Sequence, residues 1–377
     1  MEYNIYDLMD EFADENIALS PCGTADLRRI EELTMKKIEK QTPARRTKRT
    51  VRRVTRTVLV AAIVAALCGV TVVAAKLGVA DSFKGYFGDL TAEQKQVMEE
   101  LGTTDMQPVT SNGTTITPLA AICDENNYYL RLRIEAPEGT ELNLPKEDEG
   151  YLQLWNPETA GDFFARNDYD YDGCSFDCTW SDAVPGDNVL EVVMQIAGQS
   201  CDTRTKTYLE NLLGRDYTVM SFTDGRPKQL NIHGIWMQTN NQDLPYEIVL
   251  EGDWSFEIGL NAKAAPTVYV DASGRATEST WPEPDHTLTL EYFRISPLGM
   301  VGEYRHDYDE NMEGYGIENC ALVMKDGSTL EMGTGGVSMT GRDFVMLNYR
   351  FDAPIDVTQV DHIVFGDQII PVPQTAE

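Results

Sequence analysis

Over 377 residues the chain carries 31 Lys/Arg against 61 Asp/Glu, a formal net charge of −30, with 42% hydrophobic and 9% aromatic residues. A polyanion of this kind repels nucleic-acid phosphates, and its apolar content is too high for a disordered polymer. Seven cysteines, at 22, 68, 123, 174, 178, 201 and 320, are too sparse for a disulfide-built scaffold.

At the N-terminus, Ile5, Leu8, Met9 and Phe12 have amphipathic-helix spacing, with acids on the opposite side. SPCGT at 20–24 interrupts this helix, and a second follows in which Leu27, Ile30 and Leu33 form an apolar face. Two helices this short are marginal in water. Their exposed stripes over 1–42 are therefore read as a docking surface for a partner protein, with a loosely folded tail as the alternative.

A basic linker at 43–56 comes next, and then an apolar run. Positions 58–75 hold eighteen residues without a charge. At a rise of ~1.5 Å per residue, a helix of that length covers about 27 Å, close to a ~30 Å hydrocarbon core. The run starts too far along the chain for a signal peptide, so 57–75 reads as a transmembrane helix. Arg45, Arg46, Lys48, Arg49, Arg52, Arg53 and Arg56 all precede it, whereas acidic sequence follows. The positive-inside rule then places the N-terminus in the cytoplasm and the acidic bulk outside. The same cations attract anionic membrane lipid rather than nucleic acid. Ala61, Ala65 and Gly69 recur at i, i+4 and i+8, a small face that permits a homodimer, although alanine is common in spans of every kind.

Residues 76–105 read as a helical linker: Thr91 with Gln94 makes a capping box, and Val97, Met98 and Leu101 supply an apolar face. Beyond it, short alternating runs are separated by turn residues. They include NYYLRLRIEAP at 127–137, VLEVVMQIA at 189–197, YEIVLEGDWSFEIGL at 246–260, HTLTLEYFRISP at 286–297 and FVMLNYRF at 344–351. The expected fold is thus mainly β, an antiparallel β-sandwich exterior in two modules joined through one transmembrane helix to a short helical segment. The modules are placed at 106–262 and 283–377, with the aperiodic stretch 262–283 as the joint between them.

Chemical motifs are few. Asp168, Asp170 and Asp172 followed by Gly173 match the opening of a calcium loop. The twelfth position is Thr179 rather than a bidentate Glu, so a solvated acidic loop is the simpler reading and Ca²⁺ the alternative. Cys174 or Cys178 with Cys201 is the disulfide to test, against free buried thiols; a zinc site lacks a second ligand pair. GTGGVSMTG at 333–341 lacks a following helix and a Lys, so it reads as a turn rather than a phosphate loop. His233, His286, His306 and His362 lie scattered near strand-like sequence, with no nucleophile motif. No catalytic residue is assigned, and no enzyme is expected.

Several stretches together carry a resemblance. IEELTMKKI (30–38), the basic linker, the apolar run, FKGYFGDLTAEQ (83–94), VTSNGTTITPLAAICDENNYYLRLRIEAPEGT (109–140) and FRISPLGM (293–300) occur in that order. This layout resembles single-pass membrane proteins of Gram-positive bacteria that carry a domain of unknown function and are described as anti-sigma-factor-like. The resemblance implies a tethered regulator whose cytoplasmic segment holds a sigma factor while an exterior domain senses a signal. Zinc-type anti-sigma domains place a His and two Cys in the cytoplasmic helices. Residues 1–56 hold only Cys22 and no His, so that mechanism does not apply here. The alternative function is a cell-surface binding protein or adhesin whose exterior sandwich takes glycan, peptide or cell wall.

Overall fold

The computed structural model describes residues 78–142, 144, 150–154, 174–181, 186–198, 203–217, 222, 228–239, 246–258, 265–278, 286–306, 319–332, 336–339 and 344–373. It opens with three helices: α1 (Val79–Ser82), α2 (Lys84–Phe87) and α3 (Ala92–Leu101). The expected capping box at Thr91 is present. Thr91 Oγ1 accepts from Gln94 N at 3.2 Å, and Gln94 Oε1 accepts from Thr91 N at 3.0 Å. Two of the orphan N–H groups at the start of α3 are satisfied in this way. Met98 and Leu101 are buried on the face the sequence indicated.

The first pair of sheets follows. Its strands are β1 (Gly102–Thr103), β2 (Val109–Ser111), β3 (Thr114–Cys123), β4 (Asn127–Glu135), β5 (Gly150–Gln153), β6 (Cys174–Ser181), β7 (Val189–Gly198), β8 (Lys228–Thr239) and β9 (Glu247–Ile258). One sheet runs β1-β3-β4-β7-β6 with β2 on β3, the other β5-β8-β9, and the pairings are antiparallel. Asn112 and Gly113, at φ 49° and 81°, make the tight turn from β2 to β3 that two consecutive positive-φ residues allow. In β4 the alternation is regular: Leu130, Leu132 and Ile134 enter the core, and Arg131, Arg133 and Glu135 face away. Trp254 of β9 lies in the same core and donates its indole N–H to Thr114 O at 3.0 Å, tying the two sheets together.

Strand β3 departs from alternation because it is buried on both faces. Ile116, Ala121 and Cys123 point into the core between the sheets. Ala120 and Ile122 lie beneath Val79, Phe83, Met98 and Leu101 of the helical segment. A bulge between Pro118 and Ala120 accommodates the proline, which has no N–H to donate to the ladder.

The second pair of sheets contains β10 (Val268–Asp271), β11 (Ala276–Glu278), β12 (Thr287–Ser296), β13 (Gly299–His306), β14 (Cys320–Met324), β15 (Thr329–Glu331), β16 (Gly336–Met339), β17 (Phe344–Arg350), β18 (Val360–Phe365) and β19 (Gln368–Pro371). One sheet runs β10-β12-β13-β17-β16 with β11 on β12, and the other β15-β14-β18-β19. Phe293 of the first meets Phe365 of the second with ring centroids 5.3 Å apart, inside a core that also takes Leu290, Tyr304, Leu322 and Ile363. The described chain is therefore mainly antiparallel β, in two sandwich-like pairs of sheets, each around its own apolar core.

Several expectations are corrected. The stretch 262–283, read as a joint, carries β10 and β11, both paired with β12. Its strands are short and bounded by the Asp271–Gly274 turn, which hides their period. The glycine-rich 333–341 is more than a turn, since Gly336–Met339 forms β16 on β17. A helix at Thr203–Leu213, here α4, was not anticipated. Cys178 is a free, buried thiol in β6, which removes a Cys178–Cys201 disulfide. Among the described residues no helix is long and apolar enough to cross a membrane. The apolar run at 57–75, with the basic flank and the N-terminal apolar stripes before it, lies outside those residues.

Candidate functional site: the polar seam

Three of the stretches that carry the family resemblance meet in space. The turn after β3 bears Asp124, Glu125 and Asn126, and it sits against the turn between β12 and β13, Ser296–Gly299. Asp124 is fully buried. Its Oδ1 accepts from Asn126 N at 2.9 Å and Asn127 N at 2.7 Å, closing its own turn. Its Oδ2 reaches across to the second pair of sheets, accepting from Ser296 Oγ at 2.7 Å and Leu298 N at 2.8 Å. Four donors among the described residues surround the carboxyl. Burial raises its pKa, and the hydrogen bonds from Ser296, Asn126, Asn127 and Leu298 oppose that rise. Beside it, Arg294 Nη1 donates to Glu125 Oε1 at 2.7 Å, a second cross-link between the pairs of sheets.

A second polar group lies under the helices. Gln195 of β7 is buried, and its Nε2 donates to Tyr129 Oη at 2.9 Å. Its Oε1 accepts from Arg350 Nη1 of β17 at 2.7 Å and from Tyr86 Oη of α2 at 3.4 Å. One amide therefore touches the helical segment, the first pair of sheets and the second. Burial, with Tyr86 alongside, holds the Tyr129 phenol well above its ordinary range. Tyr86 and Phe87 stack edge-on against Tyr129, with centroids 5.7 and 5.3 Å away. Arg131 of β4 completes the fastening, donating to Ser82 O at the end of α1 and pairing with Glu191.

The chemistry of this seam is that of a clamp. Both oxygens of Asp124 are occupied by internal donors, so it presents no free lone-pair face to a substrate proton. Gln195 likewise spends both ends of its amide on protein partners. Glycine is required at 299: a Cβ there would stand 2.5 Å from Tyr349 O and 2.6 Å from Asn127 Nδ2.

Other residues singled out in the sequence fall elsewhere. Asp168, Asp170 and Asp172 lie outside the described residues, as do Ile5, Leu8, Met9, Phe12, Leu27, Ile30, Leu33, Ala61, Ala65 and Gly69. Among the described residues no group of three His, Cys, Asp or Glu is placed to hold a metal. His233 pairs across the ladder with Asp253 at 2.7 Å on an exposed face, His362 with its neighbour Asp361 at 2.8 Å, and His306 is buried. Sequence reading did not pick out Asp124, Gln195 or Arg350 as a group. The signal available for Asp124 was local: an Asp two residues before Asn126 between two strands marks a side-chain-capped turn.

No protein-family model matches the chain, and no curated protein matches it. Among solved structures it is similar to a conserved domain protein from Bacillus anthracis, at 12% identity over 70% of this chain and 75% of that one, with a TM-score of 0.42. A likeness at this level carries no functional inference.

Proposed function

We propose that the chain is a membrane-anchored, anti-sigma-factor-like regulator. Its N-terminal segment lies in the cytoplasm, one helix at 57–75 crosses the membrane, and the paired sheets lie outside as a sensing region. The observation that supports this reading is the fastening of the described segment that follows the apolar run in sequence. Helices α1–α3 begin at Val79 and are held against β3 and β4 by Phe83, Met98 and Leu101. Arg131 and Gln195 then bond the same segment to the first pair of sheets, and Gln195 also bonds Arg350 of the second. A passive anchor needs only a tether at this point. A clamped connection passes a displacement of the exterior sheets to the span, as a transmembrane regulator requires.

The test is to recover the full-length chain from membranes and identify bound proteins, with and without residues 1–40. A sigma factor recovered with the intact chain and lost on deletion, or on replacing Leu8 and Phe12 by Asp, supports the proposal. Unchanged transcription after the deletion, with the exterior region still displayed, replaces it with the surface-binding alternative. Protease accessibility of the C-terminal region in intact cells tests the orientation separately.

A further inference from the structure

The outward face of the sheet β5-β8-β9 carries an uncharged aromatic and amide patch on an otherwise strongly acidic chain. Tyr151 pairs with Gln238 across the ladder, Gln153 with Trp236, and Trp236 with Ile248 on the far strand. Tyr151 is 53% exposed and Ile248 43%, unusual for large apolar groups. Gln153 Nε2 donates to Tyr246 Oη at 2.8 Å, fixing one amide beside one phenol. None of these six residues is an Asp, Glu, Lys or Arg, although the chain as a whole carries a net charge of −30.

The platform is built rather than incidental. The ladder bulges between His233 and Ile235, and Gly234 within the bulge has φ 82°. A Cβ at Gly234 would lie 2.8 Å from Trp236 Nε1 and 3.2 Å from Ile248 Cδ1. The missing side chain is thus the space over which the indole and the isoleucine meet. Trp236 donates its N–H to His233 O at 2.9 Å, which pins the ring and leaves its apolar face, rather than its polar edge, to offer.

We infer that this face binds a neutral glycan, a chain of pyranose rings whose C–H faces stack on Tyr151 and Trp236. Size and charge select this occupant. The patch spans two strand spacings, about 10 Å, far short of the ~800 Å² per partner in a stable protein interface. A second copy of so acidic a chain, or an anionic polymer, is repelled. A proline-rich peptide is disfavoured because the indole N–H that would hold its carbonyl is already engaged. The inference deepens the proposed sensing role by naming the ligand class. It depends on that role only for exterior placement, and binding is measured on purified protein, so the two can fail independently.

The test is calorimetric titration of the full-length chain, in a detergent without a sugar headgroup, with cellohexaose and with chitohexaose. Saturable binding of at least one is expected. Tyr151→Ala and Trp236→Ala should each weaken it by about tenfold or more, with Trp236→Phe within about threefold of wild type. Melting curves establish that the variants fold, and Tyr151→Ala, altering an exposed side chain, decides the matter if Trp236→Ala does not. Absence of saturable binding to either sugar, wild-type affinity in Tyr151→Ala, or stronger binding to hyaluronan oligomers or a proline-rich decapeptide would overturn the inference.

Discussion

Ser296 Oγ donates to Asp124 Oδ2 at 2.7 Å, joining two turns 172 positions apart in the chain. That bond and the adjacent one from Leu298 N are where the two pairs of sheets are locked. Because Asp124 receives four donors in a buried site, each donor loses its partner if the carboxylate goes.

Replacing Asp124 by Asn keeps the shape but turns an acceptor oxygen into a donor facing other donors. The expected loss is about 2–4 kcal/mol. Urea unfolding followed by tryptophan fluorescence measures it. Hydrogen exchange should show the increased opening centred on 124–127 and 296–299, and uniform protection across the seam would contradict the assignment.

The pH dependence at this site has a definite sign. Burial raises the Asp124 pKa above its ordinary value, so the folded state binds its proton more tightly than the unfolded state does. That contribution is complete below the unfolded pKa, about 4, and is lost as pH rises through the folded value. Asp271, Asp326 and Asp367 behave oppositely: hydrogen bonds from Ser273, Ser328 and Thr277 hold their pKa values down. Their contribution is present above about pH 4 and lost as pH falls through the folded values. The stability difference between wild type and Asp124→Asn should therefore narrow as pH increases from about 4; a widening difference refutes this account.

Gly299→Ala introduces a methyl group against Tyr349 O and Asn127 Nδ2. Neither neighbour is the free end of a long side chain, so the strands must separate. The cost should be about 1–3 kcal/mol, as for other overpacked sites. Thermal unfolding provides the measure, with Gly274→Ala as a comparison where space is open but φ is 79°.

Arg131→Met preserves the stem and removes the guanidinium that reaches Ser82 O and Glu191. Arg131 and Glu191 are partly exposed although Ser82 is buried, so the loss should be modest, about 1–2 kcal/mol. Exchange in 79–101 should accelerate while the second pair of sheets is unaffected. Equal acceleration throughout would mean that the helices are not a separately fastened layer.

Cys123, Cys178 and Cys320 are buried free thiols, and burial pushes Cys320 up to about 12 and Cys178 higher still. Thiolate is the reactive form, so Cys178 and Cys320 should resist a maleimide at pH 8 in the folded protein, as Cys123 should because it is buried, and all three should react once it is unfolded. Mass spectrometry of each peptide reads this out, and rapid native labelling of Cys178 would show that β6 is open.

The parts of the fold legible in the sequence were those governed by near neighbours. The capping box depends on two residues three apart, and it formed as Thr91 and Gln94 indicated. Strands β4, β7, β9, β12 and β17 were visible as short runs rich in β-branched and aromatic residues between turn residues, with alternation clearest at Leu130, Leu132 and Ile134 of β4. Strand β3 was obscured: Ala120 and Ile122 are covered by helices whose packing no local pattern records. Strands β10, β11 and β16 were hidden by brevity and by glycines whose turn character outweighed their pairing.

By itself, the amino-acid order determined that the chain is an acidic, mainly antiparallel β protein with a capped helical entry, because period and capping are properties of short windows. Only the tertiary structure decided that Asp124 meets Ser296, that Gln195 holds Arg350 and Tyr86, and that Tyr151, Trp236 and Ile248 share one face. Those contacts link positions tens to hundreds of residues apart. Strand order and the bulge at Gly234 set them, and neither leaves a local trace.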